Sequence, residues 1–180
     1  LTFIAALGSG LMAGFFFAFS ATVMWALERQ PAAAGIAAMQ AINFVVLNPL
    51  FLGTFFGTAI LSLVLDIVAL MDWLAPGSGY LLAGSLLYFV GTFLVTVLFN
   101  VPLNNKLAAV KPDSAEGNAV WTRYLREWTL WNHVRTVAPL AAMAAFILAF
   151  TDLRPQTAPN QFSAFGRLNE LRIKKEKSPK

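Results

Sequence analysis

Four stretches of this chain are apolar for long enough to cross a bilayer, and its polar residues fall almost entirely between them. Residues 1–27, 44–65 and 80–99 carry no charge, and a helix of about 20 such residues, rising ~1.5 Å at each, matches a hydrocarbon core of about 30 Å. A fourth uncharged run, 136–150, is only 15 residues long. To span, its helix has to begin near Leu130, which draws Asn132, His133 and Arg135 into or against the bilayer. Charged groups at that depth are costly enough to be functional candidates by default. Pro139 marks the same spot, since its ring nitrogen cannot donate to the carbonyl four residues earlier, that of Arg135.

The segments between the runs predict the connections. Glu28, Arg29 and Gln30 mark the exit from the first span, and Pro31 suits the first turn of a short, alanine-rich helix over 32–46, read as interfacial. Asn48-Pro49 ends it, because the residue before a proline is pushed away from helical angles. Asp72 and the Pro-Gly-Ser-Gly of 76–79 predict a short turn. Residues 100–112, polar and proline-interrupted, predict a loop, and the last helix is expected to open at Asp113 with Glu116 as capping partner. The predicted fold is all-α: an integral membrane four-helix bundle with an interfacial helix in loop one and a long final helix extending out of the membrane. Residues 1–152 make that domain and 153–180 a basic amphipathic tail. Gly10 with Gly14, and Gly53 with Gly57, predict faces on which spans approach closely.

Composition agrees, with 58% hydrophobic and 12% charged residues and a mean hydropathy of +0.65, which excludes a soluble globular domain. With no cysteine there is no disulfide, thiol nucleophile or thiolate metal site. The net charge of +4 is concentrated in Arg167, Arg172, Lys174, Lys175, Lys177 and Lys180. A basic tail after a membrane helix reads as a contact with anionic lipid, not nucleic acid. The positive-inside rule, applied to Arg29, Lys106, Lys111, Arg123 and Arg126, places loops one and three in the cytoplasm; the terminal lysines argue the reverse.

Four spans put loops one and three on one side of the membrane. That brings Gln40, Asn43 and Asn48 to the same side as Asn100, Asn104, Asn105, Trp128, Asn132 and Arg135. On the last helix Tyr124, Trp128, Asn132 and Arg135 recur at intervals of four, four and three, so they stack along one face. An aromatic ring beside a guanidinium and a carboxamide suits a flat, polarised aromatic molecule. Trp121 and Tyr124 are assigned instead to an aromatic belt at the interface. Some of the asparagines cap helices or build turns, and Phe15, Phe16, Phe17, Phe19 and Met24 face lipid or wall a pocket. His133, the single histidine, is a possible general base; no carboxylate stands at ligand spacing to it, so no metal site is assigned. Asp66 is read as hydrated near the opposite interface, with a proton relay as the alternative.

The segments 39–43 with Asn48-Pro49, Phe99-Asn100-Val101-Pro102-Leu103-Asn104, and 128–136 (Trp-Thr-Leu-Trp-Asn-His-Val-Arg-Thr) together resemble the anthrone oxygenase-like family of small four-helix membrane proteins. The likeness covers residues 1–150. It implies oxidation of a planar polycyclic phenol or quinol by molecular oxygen, without a bound organic cofactor or metal, in an intramembrane pocket. It assigns Arg135, Asn132 and His133 to catalysis, and Asn100, Asn104, Trp128, Asn48 and Asn43 to substrate binding. Arg135 stabilises an enolate in that scheme. Two other readings fit the residues: a non-catalytic accessory subunit of a respiratory or photosynthetic membrane complex, suggested by Phe162, Phe165, Leu168 and Leu171 recurring beside the tail cations, and a binder of a quinone-like lipid. The expected partners are membrane lipids and a hydrophobic aromatic molecule, and the expected location is a bacterial inner membrane.

Overall fold

The computed structural model describes residues 1–152, and the predicted amphipathic tail, with the partner-docking role suggested for it, lies outside the described residues. Five helices follow one another: α1 Thr2–Glu28, α2 Ala32–Val45, α3 Pro49–Met71, α4 Ser78–Ala108 and α5 Ala115–Asp152, of which all but α2 are long and apolar enough to span a membrane. Among the described residues there is no strand. The protein is an all-α integral membrane four-helix bundle.

The four spans form a closed ring in which α5 packs on α1 and α4, and α3 on α4 and α1. Lipid is as apolar as leucine, so such a ring is held by close packing and interhelical hydrogen bonds. Three of the four neighbouring pairs have a side chain bonded to the partner's backbone. Tyr88 Oη donates to the Phe55 carbonyl at 3.1 Å, Asn100 Nδ2 to the Trp128 carbonyl at 3.2 Å, and Asn132 Nδ2 to the Phe16 carbonyl at 2.9 Å. One apolar core joins Phe16, Phe55, Leu81, Tyr88 and Phe146 along the bundle. A second, at the end bearing loops one and three, joins Phe19 and Met24 of α1, Ile36 and Met39 of α2, Leu103 and Leu107 of α4, and Trp121, Tyr124 and Trp128 of α5. Helix α2 roofs that end, with Gln40 Nε2 donating to the carbonyls of Leu107 and Val110 at 2.8 and 3.0 Å. Loops one and three therefore meet on one side, as their order along the chain requires.

Four expectations need correction. The segment from Asn100 is helical to Ala108, not a loop. Pro102 lies in the first turn of that stretch, preceded by π-helical turns over Phe89–Leu94 and Thr96–Asn100 that shift the backbone pairing around the missing N–H. The last helix is capped by Ser114, whose Oγ accepts from Gly117 N at 2.9 Å, and so begins at Ala115 instead of Asp113. Trp121 and Tyr124 are 3% and 1% exposed, packed under α2 and not in an interfacial belt. Finally, Gly14, Gly53 and Gly57 face open space; the close approaches are at Gly8 against Thr58, Gly84 against Phe146 and Gly91 against Ala138, while Gly10 meets the end of Met143. Helix α5 runs unbroken through Pro139.

Candidate functional site

Arg135 lies within the bundle between α1 and α5, 5% exposed. Its Nε donates to Asn132 Oδ1 at 2.9 Å. The guanidinium carbon sits 4.3 Å from the centroid of the Phe16 ring and 4.7 Å from that of Trp128, so two aromatic rings attend the cation. Among the described residues its two terminal amino groups have no acceptor, and the ion pairs there join Glu127 to Arg123 and Arg126. A buried cation without an anion is an expensive arrangement.

Those donors border a cavity of about 80 Å³ lined by Phe15, Phe16, Phe19, Met39, Ile42, Asn43, Val46, Leu47, Phe51, Thr96, Val101, Asn104, Trp128 and Arg135. Of the predicted site residues it gathers Arg135, Asn104, Trp128 and Asn43. Asn104 Oδ1 accepts from both Tyr124 Oη and Trp128 Nε1 at 2.8 Å, and Asn43 Nδ2 lies 3.5 Å from the same Tyr124 oxygen. With Oδ1 doubly engaged, the amide nitrogen of Asn104 is the half left to donate. The Trp128 ring packs against Tyr124 at 5.7 Å and Phe19 at 5.7 Å as well as under the guanidinium, so it acts as a wall built into the protein.

Asn132 and Asn100, both fully buried, lie behind this wall. Asn132 uses all its capacity on protein: Nδ2 donates to the Phe16 carbonyl and, at 2.7 Å, to Ser20 Oγ, while Oδ1 takes the Arg135 bond. Asn100 bonds the Trp128 carbonyl through Nδ2, and its Oδ1 has no partner among the described residues. Ser20 and Asn100 both occupy π-helical turns, which are frequent at functional sites. His133 is on the exposed side of α5, its Nδ1 3.0 Å from Ser20 Oγ, and does not line the cavity. Asn48 caps α3, its Oδ1 accepting from Phe51 N at 3.0 Å, and stands outside the cavity. Among the described residues no three His, Cys, Asp or Glu side chains converge as metal donors.

Sequence reasoning missed Ser20 and Thr136 as members of this cluster and left Phe16 between facing lipid and walling a pocket. Thr136 Oγ1 donates to the Asn132 carbonyl at 2.7 Å and lies 3.2 Å from Ser20 Oγ, so the hydroxyls tie α1 to the turn carrying Arg135. A lone serine in an apolar run gives no periodic signal. A phenylalanine beside Phe15, Phe17 and Phe19 gives none either.

Residues 47–145 match the family model described as Anthrone oxygenase. The matched segment contains Asn48, Asn100, Asn104, Trp128, Asn132, His133 and Arg135. No curated protein and no solved structure matches the chain.

Proposed function

Because the chain belongs to the anthrone oxygenase family and spans the membrane four times, we propose that it oxidises a planar polycyclic phenol, quinol or anthrone with molecular oxygen in the cavity beside Arg135. The observation that carries this reading is the buried guanidinium whose terminal amino groups have neither an acceptor nor a carboxylate partner among the described residues. Such a group is preorganised for an oxyanion that develops in the reaction. An anthrone supplies one: loss of a proton from its ring methylene puts negative charge on the carbonyl oxygen.

The balance closes without another reactant. The enolate carbon adds oxygen to give a peroxide anion, which takes a proton; the remaining methylene hydrogen and the distal oxygen then leave as water. The methylene becomes a ketone, and oxygen is reduced by four electrons, with one atom in the product and one in water. In this scheme Arg135 bears the enolate oxygen, Asn132 holds Arg135 by its Nε, and Asn104 and Asn43 offer amide donors to a second oxygen on the ligand. Asn100 and Asn48 position helices, and His133 reaches the cluster through Ser20.

Oxygen uptake by the detergent-purified protein, measured with an anthrone, tests this. Turnover above the spontaneous rate, lost in Arg135→Ala, is the expected result. Tight binding of the anthrone or a quinone with no uptake would identify a quinone-like lipid binder, and neither uptake nor binding would overturn the reading.

A further inference from the structure

We infer that the ligand enters the Arg135 cavity sideways from the bilayer, between α1, α2 and α3, past a septum of Phe15 and Phe51. This rests on the proposed use of that cavity by a membrane-dissolved aromatic ligand. At about 80 Å³ the cavity is far below the about 300 Å³ and upward usual for small-molecule sites, so a wall has to move on binding. The structure distinguishes the wall that can move from those that cannot.

A second depression of about 370 Å³ lies on the outer surface of the same corner. Phe15, Phe19, Ile42, Val46 and Phe51 line both spaces, so one layer of side chains separates them. The septum is held by apolar contacts: Phe15 meets Phe51 at 5.0 Å and Phe19 at 5.1 Å, Phe51 meets Phe55 at 5.9 Å, and both rings pack on the core. The outer depression is mostly apolar, lined also by Ala41 and by Val45, which is 67% exposed, as suits acyl chains and a ligand dissolved among them. Swinging the septum aside merges two spaces that together fall within the usual range of ligand sites.

The aqueous side is closed by firmer means. Gln40 bonds two carbonyls at the end of α4, and Ile36, Met39 and Leu107 are fully buried beneath α2. A Cβ on Gly35 would stand 2.8 Å from the Trp121 ring, so the first half of α2 lies tight on α5. Past Gln40, the side-chain hydrogen bond from α2 to another helix among the described residues is the 3.5 Å contact from Asn43 to Tyr124, with Ile42 packed on the core beside it. The loosely held end of α2 is the end that borders lipid.

The chain's lack of cysteine permits a test that needs no turnover. Thr96→Cys places a thiol on the cavity wall, to be labelled in liposomes by an uncharged aromatic maleimide that partitions into lipid and by a sulfonated, membrane-impermeant one applied to both faces. The aromatic reagent is expected to react much the faster. Adding Phe51→Ala, or Phe15→Ala should the first fail to fold, is expected to raise its rate about fivefold, the ratio corresponding to loss of one aromatic pair contact. Gln40→Ala is expected to leave that rate unchanged. Equal labelling by the charged reagent, or faster labelling in Gln40→Ala than in Phe51→Ala, would overturn the lateral route in favour of entry through the roof. Because labelling does not depend on oxygen chemistry, these outcomes stand apart from success or failure of the oxygenase assay.

Discussion

Asn132 and Arg135 sit one turn apart on α5, and the 2.9 Å bond from the guanidinium Nε to the carboxamide Oδ1 leaves the two terminal amino groups without an acceptor among the described residues. The carboxamide is itself fixed from α1 by the Phe16 carbonyl and Ser20 Oγ. The direction of a buried charge on one span is therefore set by a different span. A receptor for an oxyanion has to be rigid before the anion forms, since reorganisation during reaction would forfeit the gain.

Arg135→Met should separate function from stability. Losing an oxyanion donor in a dry site costs about 10²–10³ in rate, so oxygen uptake should fall to the spontaneous level. Yet the variant should unfold at a temperature no lower than the parent, because a buried cation without an anion is replaced by an apolar chain of similar length. Thermal unfolding in detergent checks this, and marked destabilisation would make Arg135 a structural element in place of a receptor.

The junction of α1 and α5 should show as coupling. Asn132→Leu leaves Arg135 Nε without its acceptor and takes one bond each from the Phe16 carbonyl and Ser20 Oγ, with an expected cost of about 1–3 kcal/mol. Combined with Ser20→Ala in a double-mutant cycle, the coupling energy should lie at about 0.5–2 kcal/mol, and near zero if the 2.7 Å bond contributes nothing.

How much of this was legible in the chain depends on the kind of signal each residue leaves. Arg135 and Asn132 stand out because lipid makes any polar group in a span conspicuous, and the spacing from Tyr124 through Trp128 to Arg135 places them on one face without coordinates. Tyr124 was misassigned because an aromatic residue near a span's end looks the same whether it faces headgroups or a roof. Only the packing of α2, which is non-local, decides between them. The continuation of α4 through Pro102 was hidden for a related reason: a proline breaks a regular ladder, but π-helical turns upstream re-pair the backbone, and nothing local announces them. Gly14, Gly53 and Gly57 show the reverse failure, a local pattern with no neighbour to use it.

The glycines give a direct check on the packing. A Cβ on Gly84 would lie 2.9 Å from the Phe146 ring and 3.2 Å from the Ala142 carbonyl, whereas one on Gly57 meets nothing within 4 Å. Gly84→Ala should destabilise by about 1–3 kcal/mol through overpacking. Gly57→Ala should be neutral or stabilise by up to about 1 kcal/mol, because alanine is the better helix former. Reversal of that order, read by thermal unfolding, would mean that the ring of helices is arranged differently.

Asn104→Asp tests the anion-receptor idea from the opposite side of the cavity. Asn104 Oδ1 accepts from Tyr124 Oη and Trp128 Nε1, both at 2.8 Å. A carboxylate keeps both bonds and strengthens them by its charge. It also supplies the anion that Arg135 lacks, in a space both residues line. Stability should therefore hold or rise, while affinity for an acidic phenol or anthrone falls at least about tenfold, equivalent to about 1.4 kcal/mol of competition for the guanidinium. Asn104→Leu removes the acceptor without adding charge, so two buried donors lose their partner and stability should fall by about 2 kcal/mol. Titration of the three proteins with such a ligand, beside their unfolding curves, separates the two effects. Undiminished binding by Asn104→Asp would show that the ligand's oxygen does not sit on Arg135.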